Sequence, residues 1–202
     1  IDYSASDIEV YQQDIVINRT TGTAYNETAN GLETWHLYVG SLCREDYGDI
    51  RFTNSTGAEL AYYLWPDYDS TSANFTVRLE GATSAGKLQV WYGNPSATTT
   101  SDGNATFPHF DQFDGSALDT TKWTLAPRAI ATVANGQLSL KGTYVSGIDG
   151  ICGNTTKFDT SKYQVQWGVV SGEVPGDVYV HWGWGSGAAQ ESATDEIAFR
   201  WA

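Results

Sequence analysis

The chain is written in short apolar–polar alternations separated by turn residues, and no segment sustains a helical period. Period-two alternation sends successive side chains to opposite faces of a strand, so each run needs a sheet with one face to bury. The first half carries candidate strands at 8–18 (Ile8, Val10, Ile15, Ile17) and 34–39 (Trp35, Leu37, Val39). Others open at Ile50 and Phe52, run over 59–65, run over 74–80 (Phe75, Val77, Leu79), and run over 87–92 with Leu88, Val90 and Tyr92 on one side. Arg19 to Gly31, rich in Thr, Asn and Gly, reads as a loop, and residues 1–7 as a polar arm. Asn54-Ser55-Thr56-Gly57, Pro66 and Gly93-Asn94-Pro95 stop strands, because Gly permits left-handed dihedrals and Pro has no N–H for a ladder. Six short strands at this spacing predict a β-sandwich.

Ser96 to Thr106 is Ser, Thr, Gly and Asn, which reads as a connector. Apolar residues return at Phe110, Phe113, Leu118 and Trp123. Further strands are expected near 109–114, 121–126, 128–134, 137–141, 144–151, 162–170, 177–184 and 194–201. Within ATVANGQLSLKG (131–142), Asn135-Gly136 is the favoured type I′ dipeptide between two apolar runs and predicts a hairpin. The fold class expected is all-β, with two antiparallel, jelly-roll-like β-sandwich modules in tandem over 1–106 and 107–202. The last run, EIAFRWA, stops in mid-strand. The second module is therefore a reduced form, part of a longer product, or completed by a neighbouring subunit.

The segment GDIRFTNSTGAELAYYLW (48–65), followed by KLQVWYGNPSA (87–97), resembles a domain of unknown function found in archaeal and bacterial surface proteins. In that family an Asp-Ile-Arg-Phe strand precedes a Tyr-Gly-Asn-Pro turn. The next segment, FDQFDGSALDTTKW (110–123), is similar to the first strand and turn of a concanavalin-like, laminin-G-type jelly roll. The resemblance covers most of residues 8–167. It implies a place, the cell exterior, and a fold of β-sandwiches. It also leans towards an archaeal source.

Composition narrows the partners. A formal net charge of −13 disfavours nucleic acid or an anionic membrane surface. No run of eighteen apolar residues is present, so no membrane-spanning helix is expected. A chain that begins at Ile1 and lacks Met reads as a mature or truncated product whose signal sequence is gone. The two cysteines, Cys43 and Cys152, fall in different modules. Joined, they would close a loop of about 110 residues, for up to roughly 4.7 kcal/mol in the chain-entropy model. Two buried thiols and an intersubunit bridge are the alternatives. No Cys-x-x-Cys occurs, which excludes the usual zinc and redox motifs.

Six of the nine asparagines sit in Asn-x-Thr sequons: Asn18, Asn26, Asn54, Asn74, Asn104 and Asn154. With Ser and Thr at roughly a fifth of the chain, chance supplies about two. A sequon is modified only on an accessible surface of an exported protein, and the alternative is a Thr-rich composition whose sequons go unused.

Other candidate sites are weaker. Asp111, Asp114 and Asp119 could give oxygen ligands to Ca²⁺, although Asp also caps turns; Asp67 and Asp69 are a lesser pair. Glycoside hydrolysis needs two flanking carboxylates. Near Glu191 and Glu196 the next same-face positions are Ala198 and Arg200, so the second carboxylate is missing. His36, His109 and His181 lack metal-ligand spacing, and His36 and His181, which alternate with Trp or Tyr in strands, read as packing or surface residues. Trp182 and Trp184 share one strand face, as a sugar-stacking platform or as core.

The reading expected from sequence is a non-enzymatic, extracellular, N-glycosylated structural protein of the cell surface. It would be a subunit of a filament, sheath or coat made of copies of itself. No cofactor is expected beyond Ca²⁺. The N-terminal arm IDYSASDIEVYQQDIVIN could add a strand to a neighbour's sheet. A lectin-like adhesin is the alternative, and a glycoside hydrolase the more distant one.

Overall fold

The computed structural model describes residues 2–3, 10–29, 32–80, 86–125, 129–142, 151–153, 179–184 and 195–200, with side chains at 12–29, 33–79, 87–125 and 130–139. The chain divides into two compact units, Ile1–Phe110 and Asp111–Ala202. It is all-β: its described elements are strands apart from two single turns of helix.

Unit one carries β1 (Asp2–Tyr3), β2 (Val10–Asn18), β3 (Tyr25–Ala29), β4 (Leu32–Tyr38), β5 (Arg51–Thr53), β6 (Tyr62–Leu64), β7 (Ser72–Glu80), β8 (Gly86–Lys87), β9 (Gln89–Trp91) and the one-turn helix α1 (Gly103–Thr106). Five strands form one sheet in the order β3-β4-β2-β7-β6. β2 runs antiparallel to β7 along its whole length and parallel to β4. The sheet is therefore mixed, which corrects the wholly antiparallel expectation. Its cause is β3, which lies within the segment expected to be a loop. The chain leaves β2, comes back through β3, and turns into β4, which slips between them beside β2. β3 is left at the edge with every residue exposed.

The same topology pairs the described parts of the N-terminal segment within their own chain. Val10–Asn18 is the middle strand of its own sheet, and Asp2–Tyr3 pairs with Gly86–Lys87 of its own chain. Freeing β2 would break two ladders and unpack Ile15 and Ile17, both fully buried.

One face of the sheet presents Ile15, Ile17, Ala73, Phe75, Val77, Leu79 and Tyr62. The two-stranded ribbon β5–β9 and the adjoining loops close over it with Phe52, Leu88, Ile50, Tyr47, Cys43 and Leu60. Phe52, Tyr62 and Phe75 meet with ring centroids 5.4–5.8 Å apart, Phe52 edge-on to both partners. Cys43 is buried within this cluster, a free thiol among the described residues. Burial first, then the Asp49 carboxylate, pushes that thiol up, and Arg19 opposes the shift. The side chain of Cys152 lies outside the described residues. Tyr92, expected to share the inward face of Leu88 and Val90, is exposed instead, because the chain turns at Gly93 (φ +95°).

A hydrogen-bonded knot fixes the loop before β5 to the turn after β9. Asp49 is only 3% exposed. Its Oδ1 accepts the N–H of Arg44 at 2.9 Å and its Oδ2 the N–H of Gly93 at 2.6 Å. Arg44 donates to Asp46 through two nitrogens, at 2.8 and 2.6 Å, and to the carbonyl of Pro95 at 2.7 Å. That fork, with the Gly48 N–H, holds the Asp46 carboxyl well below the usual range. Arg51 donates to the carbonyls of Gly48 and Ile50, at 3.1 and 2.6 Å, and to that of Thr98.

Tyr47 is the exception in this loop. Its φ is +53°, its ring is fully buried, and its hydroxyl has no hydrogen-bond partner among the described residues. Burial, then Cys43, pushes the phenol up to about 12.

Unit two carries β10 (Trp123–Leu125), β11 (Ala129–Ala134), β12 (Gln137–Gly142), β13 (Ile151–Gly153), β14 (Tyr179–Trp184) and β15 (Asp195–Arg200). They pair antiparallel as β10–β13, β11–β12 and β14–β15. The β11–β12 hairpin turns at Asn135 (φ +53°) and Gly136 (φ +71°), the doubly left-handed turn its sequence calls for. Residues 109–114, expected as a strand, form an irregular bend instead. The strand expected at 162–170 lies outside the described residues.

Asp49→Asn should lower the urea midpoint by about 2 kcal/mol of stability with m unchanged, since one buried N–H then faces an NH₂. Tyr47→Phe should be neutral or stabilising by up to about 1 kcal/mol at pH 7, because it removes a buried hydroxyl that has no partner among the described residues. The wild type should also lose stability as pH rises from 10.0, the phenol's ordinary value, towards about 12. In that window the unfolded phenol ionises while the folded one stays neutral. Thermal melts of Tyr47→Phe should show this alkaline loss reduced.

Candidate functional site

The second face of the five-stranded sheet carries two of the six sequon asparagines, Asn18 and Asn74. Side chains of β2 alternate, so Gln13, Ile15 and Ile17 enter the core while Gln12, Asp14, Val16 and Asn18 point the other way. Ladder partners share a face. Asn74 stands opposite Val16, and Ser72 opposite Asn18. Asn18 and Asn74 are thus diagonal neighbours, roughly 7–8 Å apart by ladder geometry.

On the β4 side of this face, His36 stands opposite Val16 and Tyr38 opposite Asn18. Tyr25 of β3 pairs with His36 and stacks on it, with centroids 4.4 Å apart and planes 2° from parallel. Glu27 Oε1 lies 3.3 Å from His36 Nε2. The Tyr25 phenol is raised above its ordinary value, by desolvation first and then by Tyr38 and Glu27. Gly22 lies against the Tyr38 ring so closely that a Cβ there would meet it at 2.4 Å. His36 therefore has the packing and surface role expected of it.

The other half of this face is covered. Arg78 and Gln12 donate to the carbonyls of Ala105 and Thr106, at 3.0 and 3.3 Å, and so hold α1 against the sheet. Asp102 caps α1 by accepting from the N–H groups of Asn104 and Ala105. Tyr63, Trp65, Phe107 and Phe110 pack edge-on and stacked beneath this cover. Phe110 lies against Gly103, where a Cβ would sit 2.1 Å from its ring. Underneath, Thr76 donates to Asp14 Oδ1 at 2.6 Å and accepts from the Trp65 indole at 3.0 Å.

The sequon asparagines fall into distinct settings. Asn74 and Asn104 are exposed, the first on the open half of the face and the second on its covering segment. Asn18 is half-buried, and its Nδ2 donates to the Leu37 carbonyl at 3.2 Å. An N-glycosidic amide keeps one N–H, so glycosylation is compatible with this bond. Asn26 is exposed on the edge strand and donates to the Glu33 carboxylate. Asn54 opens the hairpin turn after β5. Its Oδ1 accepts from the N–H and hydroxyl of Thr56, at 3.0 and 2.7 Å, and from the N–H of Ala58 at 3.0 Å. Asn154 lies outside the described residues.

The calcium candidate is not assembled. Among the described residues no group of three His, Cys, Asp or Glu is placed to hold a metal ion. Asp111 Oδ1 accepts the N–H of Phe113, which has φ +53°, and its Oδ2 accepts the Trp123 indole N–H at 2.6 Å. Asp119 Oδ1 accepts from the N–H and hydroxyl of Thr121, which holds that carboxyl below its ordinary value. Asp114 is exposed. Asp69 caps a turn through the hydroxyl and N–H of Thr71 and the N–H of Ser72, which lower it likewise, and Asp67 is exposed. Asp69, Asp111 and Asp119 accept from local turn N–H groups, the alternative the sequence left open for the first group. His109 is half-buried. Trp182, Trp184, His181 and Glu196 lie on β14 and β15, with side chains outside the description, and Glu191 lies outside it altogether. Sequence reasoning missed Asp49 and Trp91, whose signal was their place in GDIRF and WYGNP.

Residues 46–126 match a family described as "Domain of unknown function (DUF2341)". No curated protein and no solved structure gives a significant match. The matched span starts beside Asp49, includes the ribbon and Gly93-Asn94-Pro95, and ends just past Trp123. β2, β3 and β4 fall before it. A knot of side chain to backbone bonds demands particular residues, whereas a strand accepts any alternating pattern.

If Asp111 holds Trp123 rather than a metal, Asp111→Asn should lower the melting temperature of unit two by several degrees. Added Ca²⁺ or EDTA should shift the wild type by less than the error of a calorimetric scan.

Proposed function

We propose that this chain is a non-enzymatic, N-glycosylated structural protein of the cell exterior, a subunit of a surface filament, sheath or coat built from copies of itself. The observation that carries this reading is the diagonal adjacency of Asn18 and Asn74 on the open half of one sheet face. Two glycans rising from adjacent strands would keep that face in water. Asn104 adds a third attachment point on the covering segment, and Asn26 a fourth at the sheet edge. Their spread over separate elements suits a coat of sugar over unit one, with protection from proteolysis as its physical benefit.

The net charge of −13 and the engagement of Asp46, Asp49, Asp69, Asp111 and Asp119 by local donors support a structural use of the acidic residues. Within this reading residues 107–202 form a jelly-roll-like module.

Electron microscopy of native material, with intact-mass and glycopeptide analysis of the same sample, tests the proposal. Ordered polymers with glycan mass on Asn18, Asn26, Asn74 and Asn104 are expected. Monodisperse particles of unmodified mass would overturn it.

A further inference from the structure

An exposed tryptophan stands beside one of the sequons. Trp91 is 58% exposed, on the outer side of the ribbon β5–β9, while its neighbour Val90 packs against the core. Trp91 stands opposite Arg51, yet its indole Nε1 donates to the hydroxyl of Thr53 at 2.9 Å. The ring therefore lies along the ribbon in the direction of Asn54. Thr53 in turn donates to Gln89 Oε1 at 3.3 Å. This relay of three side chains satisfies the indole N–H and fixes the ring, leaving its face to water. A large apolar surface held in one orientation and left wet is unusual unless something covers it.

Asn54 follows Thr53 directly and opens the tight turn to Ala58, where Gly57 takes φ +85°. The Asn54 Oδ1 is engaged by Thr56 and Ala58, which anchors the side chain at the tip of the ribbon. Nδ2 is the atom a glycan would occupy. Sugar rings present a face of C–H bonds, and an indole face with its negative quadrupole is the complementary surface.

We infer that Trp91 is the docking platform for the N-linked glycan of Asn54, whose sugar nearest the protein stacks on the indole. The inference rests on the glycosylation proposed above. A glycan docked in this way is rigid at its base, shields the ribbon, and adds a contact to a β5–β9 pairing only three residues long.

The test uses the protein purified from its glycosylating host. Thr56→Val removes the sequon while leaving Asn54 Oδ1 its two backbone donors. Trp91→Ala removes the platform, and Trp91→Phe keeps a ring without the N–H. Each single change should lower the melting temperature by about 3 °C, and the double variant by little more than either alone. Trp91→Phe should retain part of the effect. Proton NMR should show ring protons of one sugar shifted upfield in the wild type, and not in Thr56→Val or Trp91→Ala. Additive melting losses, or upfield signals that persist in Thr56→Val, would overturn the inference while leaving glycosylation standing. An Asn54 peptide without glycan mass would overturn the glycan at that position and the docking with it.

Discussion

Unit one depends on a carboxylate that faces two backbone N–H groups. Asp49 is nearly inaccessible, and its two oxygens join residues about 50 positions apart in the chain, Arg44 and Gly93. Hydrogen bonds to an ionised acceptor are about twice as strong as neutral ones, and a buried acceptor left open is costly. The ribbon β5–β9 is too short to define its own register. Asp49 supplies what the ladder lacks by fixing the turn at Gly93 against the loop that precedes β5. Arg44 and Arg51 extend the same solution to the carbonyls of Pro95 and Thr98. With the ribbon fixed, Phe52, Leu88 and Val90 are aimed at the sheet, and the core can close.

Closing the core on one face leaves the other to be managed. A sheet with a single dry face reads as clean alternation along its strands, and β2 does so. The second face is treated in two ways. Half of it receives α1 and the aromatic group around Tyr63, held by Arg78 and Gln12. The other half is left open and carries Asn18, Asn74 and the Tyr25–His36 stack. Burying that half against another sheet would bring two sequons into a dry interface, so the placement of the asparagines and the placement of the cover are one arrangement.

The elements legible in the sequence were those with a local cause. Alternation marked β2, β4 and β7, and Asn135-Gly136 marked the hairpin, because the dihedrals it needs are those the two residues adopt readily. β3 was not legible: Tyr25 to Ala29 sits in a Thr-, Asn- and Gly-rich segment without apolar alternation, and as an edge strand with every residue exposed it buries nothing that would leave a pattern. The parallel pairing of β2 with β4 was not legible either, since it follows from where β3 lies. For the candidate site, the sequons could be read from sequence alone, but their adjacency is a property of the β2–β7 register. The acids near Phe113 could be read as ligands or as caps. The deciding fact, the reach of Asp111 to Trp123, spans twelve residues of irregular chain that no periodicity describes.

The costs in unit one gather in the segment from Cys43 to Ile50. It holds a left-handed tyrosine, a buried hydroxyl without a partner, a buried thiol and a buried carboxylate. The left-handed tyrosine is unfavourable locally, by roughly 1–3 kcal/mol for the strained backbone alone, and its hydroxyl, unpartnered among the described residues, adds to that. The segment persists because its side chains close the core between sheet and ribbon. The Tyr47 ring meets Phe75 and Tyr68 there, with centroids 6.3 and 5.7 Å away. The contacts of the ring outweigh the isolation of its hydroxyl, because full burial of an aromatic ring contributes more than one lost hydrogen bond removes. A chain can be expected to keep such a locally poor segment where a single loop must serve as wall, clamp and turn at once.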